Sequence, residues 1–453
     1  MLTVFKIILG LIGLGIVVIV HELGHFIAAR LAGINVEAFS IGWGKPILKK
    51  KIGAVEYRLG MFPLGGYCKM QGDNDYQEIW ENKKNGIEAP AGSFFAAHPL
   101  KRIFAVFSGP LFNFIFAAIV LSVIWGMGIE VETQDNRIVL LSDIDGQKYP
   151  ADQGGLLSGD RIVEINGNAI NNYQDLQKNI ALNPDTDLFL AVIRNNEKLN
   201  LTIHSNLDKT GTGKIGVYPW ANPLIQTVKP GSAGEKAGLR SGDLILAVNG
   251  EELPHTVAFL TVFKDKKPAN FSVDYERNGK KETAELTNVV FSSGFPDLGI
   301  EYSSIHFKTP VLSPFTALFT GTKEAAKTFA ISLKSLRLLF KKGIDLTQAI
   351  SGPARITYMV GEIAAGGFSE SVKTGVGSAI NFLALISIAL CLMNLLPLPI
   401  LDGGMIVLYL IEMIKGKPIH PKAISAFQTS GMVIIFGLLI FAVYNDILYF
   451  TGR

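Results

Sequence analysis

Five residues, His21-Glu22-Leu23-Gly24-His25, constrain this chain most, because they carry three ionisable groups into an apolar stretch. They follow the run Val4 to Val20, broken only by Lys6, and precede the apolar residues Phe26 to Ala29. On a helix His21 and His25 share one face, one turn apart. Two imidazoles so placed can grip one Zn²⁺, and Glu22 beside them can take a proton from water at the metal. Ionisable groups inside a membrane-length helix are costly and mark function.

Composition bounds the class. With 48% hydrophobic and 18% charged residues, the 453-residue chain is too apolar for an ordinary soluble enzyme and too charged to be membrane throughout. A net charge of +3 without a dense basic block predicts no nucleic-acid partner. Cys68 and Cys391 lie far apart, so neither a disulfide framework nor a cysteine zinc site is expected. No small-x-small cleavage site precedes His21, so the first apolar run reads as a retained membrane helix, not a signal peptide.

Hydropathy and breakers predict a multi-pass α-helical membrane protein with four transmembrane helices. They cover 1–31, 103–129, 376–402 and 431–450. Residues 32–102 form a polar connection in which 54–59 alternates as a strand and 60–67 is a turn-rich apolar loop, so that 54–70 sits at the membrane surface. Asn113, on the second helix beyond Ser108-Gly109-Pro110, is a polar group at membrane depth, expected to make an interhelical hydrogen bond. In 306–375, Pro314 to Phe340 reads as an amphipathic helix lying on a membrane or on the protein, with Lys341 and Lys342 just beyond it and Gly352-Pro353 and Gly366-Gly367 punctuating the rest of that segment. Residues 403–430 read as a basic loop.

Residues 130–305 are soluble in character and repeat internally. Gly155-Leu156-Leu157-Ser158-Gly159-Asp160 recurs as Gly238-Leu239-Arg240-Ser241-Gly242-Asp243, Asn166-Gly167 as Asn249-Gly250, and Arg194-Asn195-Asn196 as Arg277-Asn278-Gly279. The common offset predicts tandem domains, 130–215 and 216–305. The Gly-Asp…Asn-Gly pattern resembles a pair of PDZ domains, inserted between helices 2 and 3. PDZ domains capture peptides by strand addition.

Basic residues supply a topology. Arg30, Lys45, Lys49, Lys50, Lys51, Lys101 and Arg102 cluster in the first connection, and Lys415, Lys417 and Lys422 precede the last helix, which puts both connections in the cytoplasm and the repeats outside. His21 and His25 then lie near the inner end of helix 1, and Asp402 lies just past the inner end of helix 3. Zn²⁺ needs a third protein ligand and an open position. A third histidine at the metzincin spacing is absent, since position 31 is leucine, which leaves Asp402 first and Glu37 second as candidates.

The combination of H-E-x-x-H, the run Asn394-Leu395-Leu396-Pro397-Leu398-Pro399-Ile400-Leu401-Asp402-Gly403 and two PDZ-like domains between them resembles the site-2 proteases, intramembrane zinc metalloproteases. The resemblance covers nearly the whole chain. It implies a zinc metalloendopeptidase with His21, His25 and Asp402 as Zn²⁺ ligands and Glu22 as general base. It also implies that Asn394, Pro397 and Pro399 help hold the substrate, and that 54–70 guides it as an edge strand. The implied substrates are the transmembrane segment of a membrane-bound anti-sigma factor, already trimmed by another protease, and remnant signal peptides. The implied setting is the lipid bilayer of a cell inner membrane, with the PDZ domains periplasmic and the active site near the cytoplasmic side. The first repeat departs from the pattern at Gln153-Gly154-Gly155, where the second has Glu235-Lys236-Ala237-Gly238. Rival readings are a membrane-tethered PDZ scaffold with an inactive metal site, and a metal transporter. The scaffold has no need of all four of His21, Glu22, His25 and Asp402. The transporter needs polar groups along a path, whereas these sit at one level.

Overall fold

A computed structural model describes residues 2–72, 90–128, 130–208, 211–292, 294–308, 310–338, 352, 354–359, 361, 372–417 and 419–451. The readings placed on Lys341, Lys342, Pro353 and Gly366-Gly367 lie outside these residues. The chain divides into two compact units, 1–129 with 309–340 and 346–453, and 130–308 with 341–345.

The first unit is helical around one sheet. Its elements are α1 (Leu2–Leu31), β1 (Val36–Ile52), β2 (Val55–Met70), α2 (Pro99–Met127), α3 (Pro314–Leu338), α4 (Val372–Leu395), α5 (Asp402–Lys415) and α6 (Pro421–Thr451). Four stretches among the described residues are long and apolar enough to cross a membrane: Gly10–Leu31, Pro99–Met127, Gly375–Leu395 and Lys422–Thr451. The large apolar side chains of α6, such as Met432, Val433, Phe436 and Ile440, face outward, as a lipid-facing helix requires.

The sheet is larger than one predicted strand. Residues 48–52 pair with 55–59 around Gly53, while Phe39 has Cys68 on one side and Tyr57 on the other. The 60–67 stretch, read from sequence as a loop, runs on as an irregular part of β2, with Trp43 opposite Phe62. Glycine explains the irregularity. A Cβ at Gly42, where φ is +84°, would lie 2.6 Å from the Phe62 carbonyl oxygen, so only glycine lets the two backbones approach so closely. Beneath the sheet Ile34, Val36, Phe39, Val55 and Met70 share a core with Ala29, Ala105, Val106 and Tyr409, which docks the hairpin on α1, α2 and α5.

One further expectation is corrected. Residues 403–430 are not a loop: α5 occupies Asp402–Lys415 and α6 begins at Pro421. The α5 sequence is too short to span a bilayer and carries two glycines in its first turn, which hid it. Both glycines are needed, because a Cβ at Gly403 would sit 2.3 Å from the Leu395 carbonyl oxygen and one at Gly404 would sit 2.1 Å from that of Leu398. Helix α3 lies on the protein: Trp125 Nε1 of α2 donates to Glu324 at 2.5 Å, and Gly321 admits Ser122.

The two largest sheets of the second unit have separate cores, and two-stranded pairings flank them. The first orders its strands Asn168–Ala169, Arg161–Ile165, Thr186–Arg194, Glu197–Leu207, Gly213–Lys214. The second orders Glu251–Glu252, Leu244–Val248, Phe271–Arg277, Lys280–Leu286. Val217–Pro219 pairs with Ile138–Leu140, so the first module runs past the expected boundary at 215. Strand Ile305–Lys308 pairs antiparallel with Glu130–Thr133, joining the two ends of the unit.

The repeated residues have one structural job each. Arg194 donates from Nε and Nη2 to Asp160 at 2.8 and 2.7 Å, and Arg277 does so to Asp243 at 2.7 and 2.6 Å. The same guanidinium donates to the carbonyl of Gly155 in one module and Gly238 in the other. Asn166 and Asn249 sit at φ of +51° and +49°, and their side-chain oxygens accept from Phe189 N–H and Ser272 N–H.

Candidate metal centre

Apolar sequence makes α1 a helix, and helical spacing puts His21 and His25 on one face, their ring centroids 4.8 Å apart. Asp402 arrives from a distant part of the chain, at the first turn of α5. The three donor atoms converge. His21 Nε2 and His25 Nε2 are 3.2 Å apart, and Asp402 Oδ2 lies 3.3 Å from the first and 3.5 Å from the second.

Those separations fit a zinc ion. Ligands at about 2.0–2.1 Å in a tetrahedron stand about 3.3 Å from one another. Asp402 Oδ2 is buried and accepts no hydrogen bond, which is costly unless a cation faces it. The donors are two imidazoles and one carboxylate, and three protein ligands leave a fourth position for water, the pattern of catalytic zinc. Among the described residues no other group of histidine, cysteine, aspartate and glutamate donors converges in this way. Glu37 is not part of it; it is half-exposed and pairs with Lys69 at 2.8 Å.

The donors open on a cavity of about 580 Å³ lined by both walls of the unit. Glu22 faces it, half-buried, with the Cys68 backbone N–H directed at its carboxylate. Gly65, Gly66, Tyr67 and Cys68 of β2 form one wall, and Asn394, Ile400 and Leu401 form part of another. Gly66 has no room for more than hydrogen: a Cβ there would stand 2.8 Å from the Ser40 oxygen and 3.2 Å from Glu22 Cγ. Asn394, in the last turn of α4, places Nδ2 3.4 Å from His21 Nε2.

Pro397 and Pro399 are not among the lining residues. They shape the turn between α4 and α5, and Pro399 packs against Gly431. That turn holds Ile400 at φ +78°, a conformation a β-branched residue rarely adopts, just before Leu401 and Asp402.

Several supporting residues were hidden in the sequence. His25 Nδ1 lies 2.9 Å from the Ala105 carbonyl oxygen, and Asn113 Nδ2 lies 3.2 Å from His21 Nδ1. The close approach of α2 depends on Gly109, where a Cβ would fall 2.3 Å from His25 Nε2, and on Gly24, where one would fall 2.3 Å from the Ser108 oxygen. Arg102, at the start of α2, donates to both oxygens of Glu412 on α5 at 2.6 and 3.1 Å, with its guanidinium over Tyr409. This buried pair fixes α5 against α2 and so the helix that carries Asp402. Asn113 was visible as an odd polar residue; a carbonyl partner and a pairing across 310 positions leave no local signal.

Known proteins resemble this chain over nearly its whole length. Residues 9–438 match the profile of Peptidase family M50. The chain is 36% identical to a protein of Treponema pallidum (strain Nichols) named "Putative zinc metalloprotease", covering 98% of each chain. It is 31% identical to the "Regulator of sigma E protease" of Haemophilus influenzae, covering 97% of each. A protein of Borreliella burgdorferi, again named "Putative zinc metalloprotease", is 31% identical over 97% of this chain and 98% of its own.

Proposed function

The chain belongs to peptidase family M50, the site-2 proteases, and is a zinc metalloprotease; on that premise we propose that it cleaves peptide bonds within the transmembrane segments of other membrane proteins. The observation that carries this is the meeting of Asp402 with His21 and His25 within 3.5 Å, the two histidines and Glu22 standing on a helix of membrane length.

His21, His25 and Asp402 hold the metal. Zn²⁺ bound there supplies a Lewis acid that lowers the pKa of a water molecule and polarises the scissile carbonyl. Glu22 takes the proton of the attacking water and returns it to the leaving amine. A helical substrate hides its peptide bonds, so it must open locally. The 65–70 stretch of β2 pairs with the opened backbone as an added strand, and the Asn394 amide donates to it. Pro397 and Pro399 act by keeping the turn before Asp402 extended, which holds Asn394 and Asp402 at the same cavity.

The repeats of the second unit are a tandem PDZ pair that excludes substrates with bulky outer domains. Such a filter suits a membrane-bound anti-sigma factor already trimmed by another protease, and remnant signal peptides. The relative named as a regulator of sigma E supports the first of these. The basic residues of the first connection favour an inner-membrane setting with the repeats in the periplasm and the cavity towards the cytoplasm. A scaffold with an inactive site would have no use for a converging donor set with a carboxylate beside it.

Purified protein in detergent, given a single-span substrate without its outer domain, tests this reading. Parent protein cleaves it and a zinc chelator stops it; Glu22→Gln loses about 10²- to 10⁴-fold in rate while keeping its zinc. Equal cleavage by parent and Glu22→Gln would end the assignment of the base.

A further inference from the structure

Helix α2 presents Ala105, Gly109 and Asn113 at four-residue intervals, so they share one face, and that face lies against both histidine rings. We propose that Asn113 is a positioning residue for the metal site, which sets the ring orientation and proton placement of His21 by accepting the Nδ1 proton through its side-chain oxygen. The proposal rests on the metal-site reading above.

The partner of His25 shows what the face does. A backbone carbonyl can only accept, so the Ala105 oxygen at 2.9 Å keeps the proton of His25 on Nδ1. His25 Nε2 then turns a bare lone pair towards Asp402 Oδ2, 3.5 Å away. His21 needs the same arrangement, because its Nε2 is the atom 3.3 Å from Asp402. Its Nδ1 meets a side chain, and an amide can either donate or accept.

Two facts decide between the amide faces. Asn113 is fully buried, and its Oδ1 has no hydrogen-bond partner while its Nδ2 faces His21 Nδ1. An Nδ2 donor would put the His21 proton on Nε2 and spoil it as a ligand. Turning the amide over exchanges two atoms of nearly equal shape: the oxygen then accepts the His21 Nδ1 proton and the nitrogen takes the unpaired position, so it is the need for a free Nε2 lone pair that favours this face. His21 then matches His25, with both Nε2 lone pairs directed at one point. Gly109 lets the strip approach, and Ser387 Oγ of α4 donates to the Asn113 backbone carbonyl at 2.9 Å, fixing that turn of α2 from the other side. Hydrogen-bonded partners of metal-bound histidines hold the ligand in register and raise its basicity.

The experiment measures zinc affinity by competition with a chelator for the full-length protein and for Asn113→Leu, Asn113→Asp and Asp402→Asn. Asn113→Leu should weaken zinc about 10- to 100-fold. Asn113→Asp, which can only accept, should recover most of that loss. A merely structural asparagine predicts the opposite order, because a buried carboxylate packs worse than a leucine. Affinity for Asn113→Leu equal to the parent's, or Asn113→Asp as weak as Asn113→Leu, would overturn the proposal. Asn113→Ala, which only removes atoms, carries the same comparison if the leucine variant does not fold. Asp402→Asn separates the two readings: if it binds zinc like the parent, the metal site itself is misassigned, whereas weakened Asp402→Asn with unaltered Asn113→Leu refutes the role of Asn113 alone.

Discussion

Three aspartates enclosed by protein invite comparison. Asp160 and Asp243 in the β unit are each 1% exposed, and Asp402 in the membrane unit has its Oδ2 buried. The first two are saturated: each takes two N–H groups from an arginine and one from its own loop, from Leu157 in one module and Arg240 in the other. Asp402 Oδ2 takes none and faces two ring nitrogens. The first pair has consumed its charge in holding a fold together, while the third leaves its buried oxygen without a hydrogen-bond donor, as the proposed metal ligand requires. Burial alone therefore does not mark a functional carboxylate; what is left unsatisfied does.

The largest effect is expected from Asp402→Asn, which should bring bound zinc and cleavage to background while the variant melts as the zinc-free parent does. Loss of the fold instead would make Asp402 a structural residue like the other two. Asp243→Asn should do the reverse. Its new amide points a donor at Arg277, costing about 3 kcal/mol of the stability of its module, read in denaturant, with zinc content unchanged. Next, stripping zinc from the parent should lower its stability by about 2.7 kcal/mol measured against zinc at a hundred times its dissociation constant. Asp402→Asn should show no such shift. The smallest effect is expected at Asn196, at φ +67°, where the second module has Gly279 at +77°. Asn196→Gly relieves a left-handed backbone and should stabilise the first module by about 0.5 kcal/mol, since the looser unfolded chain offsets part of the gain. Cleavage should stay the same.

Sequence revealed most where the physics is local or repeated. His21 and His25 were legible because one helical turn suffices to align them. Asp402 was legible only through topology, which put two distant motifs at one depth. The 83-position offset between Asp160 and Asp243 was legible because identical hydrogen bonds demand identical residues at matched positions. The β1 strand was not, because Lys49, Lys50 and Lys51 break any alternation and its partners lie on both edges. Helix α5 hid behind Gly403-Gly404, whose reason is a close backbone approach seen only in three dimensions. Arg102 with Glu412, and Asn113 with His21, depend on pairings across the chain that no spacing rule reaches.

The antiparallel pairing of Glu130–Thr133 with Ile305–Lys308 has a consequence for how such a chain arises. The insert leaves the chain at the place where it enters, with Glu130 beside Lys308. A segment whose ends already touch can be lengthened by a duplicated module or shortened by a lost one without altering the gap its neighbours must span. Its strands have also all been synthesised before the stretch bearing Asn394 and Asp402 exists. A change of length within the insert therefore need not disturb the spacing of the helices on either side of it.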